Sequence, residues 1–132
     1  MAIAYLDSSA LVKLMVREEK TSALEADLAD RDGVVSSWLS VVECRRAILR
    51  SRNRRLPQVA ADVFEAVYLL DLTTPILEHA PTLTPVSMRT LDAIHVSTAL
   101  SADDGQLDVI TYDDRMAAAA RAHHLRVVQP GR

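Results

Sequence analysis

The sequence predicts an α/β fold in which a mostly parallel sheet is covered by helices on both faces. Three observations lead there. Short apolar runs that read as buried strands alternate with helical-period stretches along all 132 residues. Hydrophobic residues make up 49% of the chain but aromatics only 4%, so the core must be built from Ala, Val, Leu and Ile rather than from stacked rings. With 3 glycines and 1 cysteine, the chain does not suit a loop-rich or disulfide-stapled scaffold. The length suits one domain over residues 1–132, enough to bury about two thirds of the surface the unfolded chain exposes.

The elements follow in order. "AIAYL" is an apolar run that reads as a buried strand, ended by Asp7, and "SSALVKLMV" continues as a helix. "TSALEADLAD" reads as a second helix, with Ser22 and Glu25 at capping-box spacing. Val34 and Val35 begin a strand, and Ser40 with Glu43 repeats the capping-box pattern at the head of the next helix. Pro57 suits the first turn of a helix running through "PQVAADVFEAVYLL", and Thr74 with Pro75 starts a short helix ending at His79. Pro81 and Pro85 mark a loop. "RTLDAIHVSTAL" reads as an amphipathic helix with Leu91, Ile94 and Ala99 on its apolar stripe, Leu91 and Ile94 anchoring it to the core. After a turn at Asp103–Gly105, Val109 and Ile110 form a buried strand, "RMAAAARAHHL" an alanine-rich helix, and "RVVQP" a last strand stopped by Pro130. No repeat, linker or low-complexity tail interrupts the pattern.

Composition narrows the function. Cys44 has no partner for an internal bridge and reads as a small buried hydrophobe. Nothing at the N-terminus resembles a secretion leader, and no apolar run approaches the roughly 20 residues of a membrane helix, so a soluble, cytoplasmic protein without membrane contact is expected. The net charge of -3 does not suggest a nucleic-acid binder on totals alone. Its distribution says more. Lysine occurs only at Lys13 and Lys20, whereas Arg45, Arg46, Arg50, Arg52, Arg54 and Arg55 cluster along and beyond one helix. Such a run either tracks a phosphate backbone or is a solvated helical face.

The acids carry the sharper signal. Ligands of open parallel sheets sit beyond the carboxyl ends of the strands. Asp7 directly follows "IAYL" and Asp113 directly follows "VITY", while Glu43 and Asp92 fall near the starts of helices that can face the same edge. Taken singly, an acid at a helix start caps free N–H groups, and Glu43 has a capping-box explanation with Ser40. Asp92 flanks an apolar stripe away from an obvious cap. Taken together, two carboxylates about 4 Å apart repel by roughly 4 kcal/mol at an effective dielectric near 20, so a cluster needs a cation or protons. Acids without a convergent His or Cys suit Mg²⁺ or Mn²⁺ better than Zn²⁺.

Four motifs in this order, "YLDSSALVKL", "SVVECRRAIL", "RTLDAIHVSTAL" and "VITYDDRMAAAA", resemble the PIN domain, in particular the small stand-alone VapC toxins. The resemblance spans nearly the whole chain. It implies a three-layer α/β/α sandwich and a metal-dependent endoribonuclease in which Asp7, Glu43, Asp92 and Asp113 hold Mg²⁺ or Mn²⁺, and metal-activated water attacks the RNA phosphodiester in line. Asp113 is favoured over Asp114 because the family's acid follows the strand as T-x-D. Ser9 matches a hydroxyl position that can hydrogen-bond a carboxylate. Arg115, just beyond Asp113, either contacts phosphate or is a solvated arginine. A homodimer and a cognate VapB-type antitoxin that blocks the site are further implications. His95 is expected to pack as a satisfied polar group or to support the site or partner surface, and His123 and His124 to lie on the surface.

Two rivals share parts of the pattern. A receiver-like phosphoacceptor signalling domain also sets acids at strand ends but needs a late lysine, and none follows Lys20; a dehalogenase-like phosphatase lacks its D-x-D opening, since Ser8 and Ser9 follow Asp7. A non-catalytic PIN-like RNA-binding module would keep the fold and bind RNA without cutting it.

Overall fold

The computed structural model describes residues 2–132. The elements run β1 (Ala4–Leu6), α1 (Ser8–Met15), α2 (Thr21–Ala29), β2 (Val34–Ser37), α3 (Trp38–Ser51), α4 (Leu56–Glu65), β3 (Tyr68–Leu70), α5 (Thr74–His79), α6 (Thr90–Ala102), β4 (Asp108–Ile110), α7 (Asp114–Ala122) and β5 (Arg126–Val128). A 3₁₀ turn over Ala80–Thr82 follows α5. The sheet is parallel at every pairing, in the order β3-β2-β1-β4-β5, with Leu6 opposite Ile110 in the central pair. β1 is thus the middle strand, and whatever follows it lies at the centre of the carboxyl edge.

Side-chain alternation along the strands divides the interior in two. Ala4, Leu6 and Ile110 face a core shared with Leu11 of α1, Leu24 of α2, Cys44 of α3 and Phe64 of α4. Tyr5 and Val109 face a second core with Val96 and Ala99 of α6 and Met116 and Ala120 of α7. Helices therefore cover both faces, giving the three-layer α/β/α sandwich. No helix among the described residues is long and apolar enough to cross a membrane.

At the amino edge of the sheet, charge is matched. The buried Arg31 guanidinium pairs with Asp27 at 2.9 Å and with Asp108, which also meets Arg126 at 2.9 Å.

Four local expectations need correction. The helix expected through Leu70 ends at Glu65, and Tyr68–Leu70 instead pairs with Val35–Ser37 as edge strand β3. A short apolar run reads equally as helix or strand, and the open edge of β2 decides it. The Ser22/Glu25 capping box does not form: α2 starts at Thr21 without a side-chain cap, and Glu25 pairs with Arg17 at 2.6 Å. Helix α3 starts earlier than Ser40, because Ser37 accepts from the Ser40 N–H at 3.3 Å, and this moves Glu43 to the second turn. Leu91 is 47% exposed, and Ala93, Val96 and Ala99 make the buried stripe of α6 in its place. That helix buries small and polar residues, so its largest aliphatics are poor markers of its inner face.

Candidate active site

Asp7 leaves β1 where the strand passes into α1. Its side chain caps that helix by accepting from the Ala10 N–H at 3.1 Å. The same carboxylate accepts from Ser9 Oγ at 2.6 Å on Oδ1 and from Thr111 Oγ1 at 2.5 Å on Oδ2. Ser9 Oγ in turn accepts from the Tyr112 N–H at 2.9 Å, and Thr111 Oγ1 from the Asp113 N–H at 3.1 Å. These bonds lace the end of β1 to the end of β4. Asp7 is only 4% exposed, and burial pushes its carboxyl above the ordinary value against the opposing pull of those hydroxyls. Capping and site-building are therefore the same geometry.

Asp113 follows β4 and caps α7, its Oδ1 accepting from the Arg115 N–H at 2.8 Å and the Met116 N–H at 3.1 Å. Asp114 points elsewhere, pairing with Arg132 at 3.1 Å. Asp92 lies in the first turn of α6, partly buried and without a hydrogen bond among the described residues. Its carboxyl is raised by burial first and by the charge of Asp113 next, with Asp7 adding to the rise and His95 and Arg89 opposing it. Asp92 thus feels the charges of both Asp113 and Asp7.

Glu43 reaches the edge from the other helical layer. Its Oε1 lies 2.7 Å from His95 Nε2, while His95 Nδ1 lies 2.8 Å from the Tyr5 hydroxyl. Burial raises the Tyr5 pKa, so the phenol keeps its proton and donates to Nδ1; Nε2–H then donates to the carboxylate. Because α3 packs on one face and α6 on the other, this chain of two bonds ties the layers together across the edge and fixes where Glu43 stands. His95 is a satisfied buried polar group, with both ring nitrogens hydrogen-bonded.

Sequence reasoning did not single out Tyr5 or Thr111. Tyr5 lies two residues before Asp7 and faces the opposite core, and Thr111 is the T of T-x-D. The spacing was the available signal for Thr111, whereas the partner of Tyr5 is 90 residues away and left none. Arg115 is exposed in the first turn of α7, and the arginines of α3 lead away from the edge. His123 is held by a hydrogen bond from its Nε2 to the Thr84 carbonyl at 2.7 Å, and His124 is exposed.

Chemically, the edge is an all-oxygen donor set whose like charges are only partly opposed, which suits a hard divalent cation that retains several waters. Among the described residues, no three His, Cys, Asp or Glu side chains already close into one ligand group. The acids share an edge without closing into a ligand group, which suits an ion that keeps several of its waters better than a closed protein cage.

The PIN domain model matches residues 4–122. A curated relative, "Ribonuclease VapC46" of Mycobacterium tuberculosis (strain ATCC 25618 / H37Rv), is 42% identical over 132 residues, covering 98% of this chain and 99% of its own. Among solved structures, VapBC2 from Rickettsia felis bound to a promoter DNA fragment superposes with a TM-score of 0.73 at 13% identity, covering 97% of this chain and 98% of the other. A toxin-antitoxin complex from Klebsiella pneumoniae gives a TM-score of 0.73 at 18% identity, with 96% and 97% covered. At those identities the structural likenesses speak for the fold.

Proposed function

The chain belongs to the PIN-domain family, and from that premise we propose that it is a divalent-metal-dependent endoribonuclease, the toxin of a VapBC-type pair. What supports the reading is that Asp7 and Asp113 follow the adjacent strands β1 and β4, that Asp92 in the first turn of α6 feels both of their charges, and that Glu43 is tied in through His95. The name of the 42% identical relative supports the reaction class, and the complexes among the structural neighbours support a VapB-type antitoxin as partner.

In this reading Asp7, Glu43, Asp92 and Asp113 hold Mg²⁺ or Mn²⁺. A divalent cation held there would neutralise charge at the scissile phosphate and make a bound water acidic enough for in-line attack. The chain supplies the positioning. Ser9, Thr111 and the Ala10 N–H hold both oxygens of Asp7, leaving one orientation for its remaining lone pairs. The head of α7 orients Asp113 through Oδ1 and leaves Oδ2 without a hydrogen bond among the described residues. His95 and Tyr5 hold Glu43. Arg115, just beyond Asp113, meets substrate phosphate, and the arginines from Arg45 to Arg55 give the RNA backbone an electrostatic track. We read residues 1–132 as one domain acting in the cytoplasm as a homodimer.

The test is purified protein, free of partner, incubated with total RNA in Mg²⁺ or Mn²⁺ beside Asp92→Asn. Discrete fragments that vanish with EDTA and with the variant are expected. RNA left whole in every metal, or cut equally by the variant, overturns the assignment of Asp92, and RNA bound but never cut favours the non-catalytic module.

A further inference from the structure

Beside the acidic edge lies a cavity of about 280 Å³, most of whose lining has no role above. Its walls are the loop leading into α6, with Pro85 and Met88, and the exposed flank of α7, with Ala118 and Ala122; Asp92, Arg89 and Arg115 stand around it. Alanines four apart leave a flat helical wall with no side chain to fill the space. Met88 offers a polarizable thioether of the kind that packs well against aromatic rings. The size falls just below the roughly 300 Å³ at which sites for drug-sized ligands begin, which is the scale of one nucleoside and far from that of a duplex.

Charge selects the occupant. The Arg89 and Arg115 side chains have no hydrogen bond or ion pair among the described residues, and planar guanidiniums present the paired donors that phosphate oxygens accept. Asp92 repels phosphate but accepts from a 2′-hydroxyl or an exocyclic amine. An apolar slot with two exposed guanidiniums and one acceptor therefore fits a nucleotide whose base is inside and whose phosphate is outside. Because Asp92 belongs to both the slot and the acidic edge, the seated nucleotide is a neighbour of the scissile bond.

We propose that the Met88–Ala118 cavity is a single-nucleotide subsite that takes an unstacked base of single-stranded RNA, with Arg89 and Arg115 holding its phosphate. This deepens the ribonuclease reading and rests on it for the identity of the polymer. It makes Met88, Arg89 and Ala118 determinants of where RNA is cut. Paired RNA keeps its bases stacked and does not enter.

The experiment uses full-length protein carrying ¹³C-methyl methionine, whose 4 methionines give a readable spectrum. A single-stranded trinucleotide RNA is titrated in EDTA at low salt, with inorganic phosphate as the comparison. The RNA is expected to move the Met88 methyl upfield by ring current, and phosphate alone is not. Arg89→Ala and Arg115→Ala should each weaken binding at least tenfold. Ala118→Trp, on an exposed position that leaves the core untouched, should abolish the shift and alter the fragment pattern from total RNA in Mn²⁺. A Met88 methyl that ignores RNA while wild type still cuts in Mn²⁺ overturns the subsite and leaves the ribonuclease reading standing. The shift without any cutting does the reverse. A shift given by a glutamate-rich peptide and not by RNA overturns the subsite in favour of a protein segment.

Discussion

Asp92 is a carboxylate that the folded chain holds at a cost. Burial and Asp113 both raise its pKa above the ordinary 3.8, so the native state binds protons more readily than the unfolded state does. The cost is absent where both states are protonated, grows as pH rises past 3.8, and is complete above the raised value. Asp92→Asn should therefore melt higher than wild type in EDTA at neutral pH, with the gain shrinking at acidic pH; an equal or lower melting temperature at neutral pH contradicts this. Tyr5 makes the opposite case. Tyr5→Phe removes the hydroxyl partner of His95 Nδ1 at a buried site, and leaving that nitrogen unpaired costs about 1–3 kcal/mol. Urea denaturation checks the loss, and RNA cleavage by the same variant should fall because Glu43 is less firmly held. At this scale the acids were legible because a carboxylate at a strand end is visible in one stretch of chain. Tyr5, His95 and Glu43 were not legible as a unit, since their contacts cross 90 and 52 residues of sequence.

Helix α7 shows how one residue serves an element and a site together. Asp113 caps the helix with Oδ1, and Asn caps as well as Asp does. Asp113→Asn should keep most of the stability while removing the charge, whereas Asp113→Ala should lose about 1 kcal/mol more, as cap deletions do. Both should lose cleavage, and calorimetry separates the two effects; equal stability of the two variants means the cap contributes nothing. Elements were readable where period and punctuation agree, as in α1 and β4. They were misread where several serines compete for one cap: Ser37 won over Ser40 because the strand before it ends in extended backbone at Ser37, a fact of β2 and not of the serine spacing. β3 was lost inside the apolar run after Glu65 because its strand character comes from pairing with β2.

Across the whole molecule, charge is distributed unevenly between the two ends of the sheet. The amino edge neutralises Asp27 and Asp108 with Arg31 and Arg126, so its acids add no unmet repulsion. The carboxyl edge gathers Asp7, Asp92 and Asp113 with hydroxyls, amides and one imidazole around them, and Arg89 is the guanidinium that opposes the rise at Asp92. A fold that pairs charge carefully at one end and leaves it unmatched at the other gains stability when a cation arrives there. Mass action sets the size: at a hundredfold excess over Kd, a ligand bound only by the native state adds about 2.7 kcal/mol. For a chain of 132 residues this is a rise in Tm of about 10 °C. Mn²⁺ should produce it in wild type, with little response in Asp7→Asn or Asp92→Asn, and potassium at matched ionic strength should not. The rise should also fade at acidic pH, because protons then occupy the same oxygens. Scanning fluorimetry across cation and pH reads all of this at once, without any RNA present. An equal rise in wild type and Asp7→Asn would move the cation away from β1, and with it the centre of the proposed chemistry.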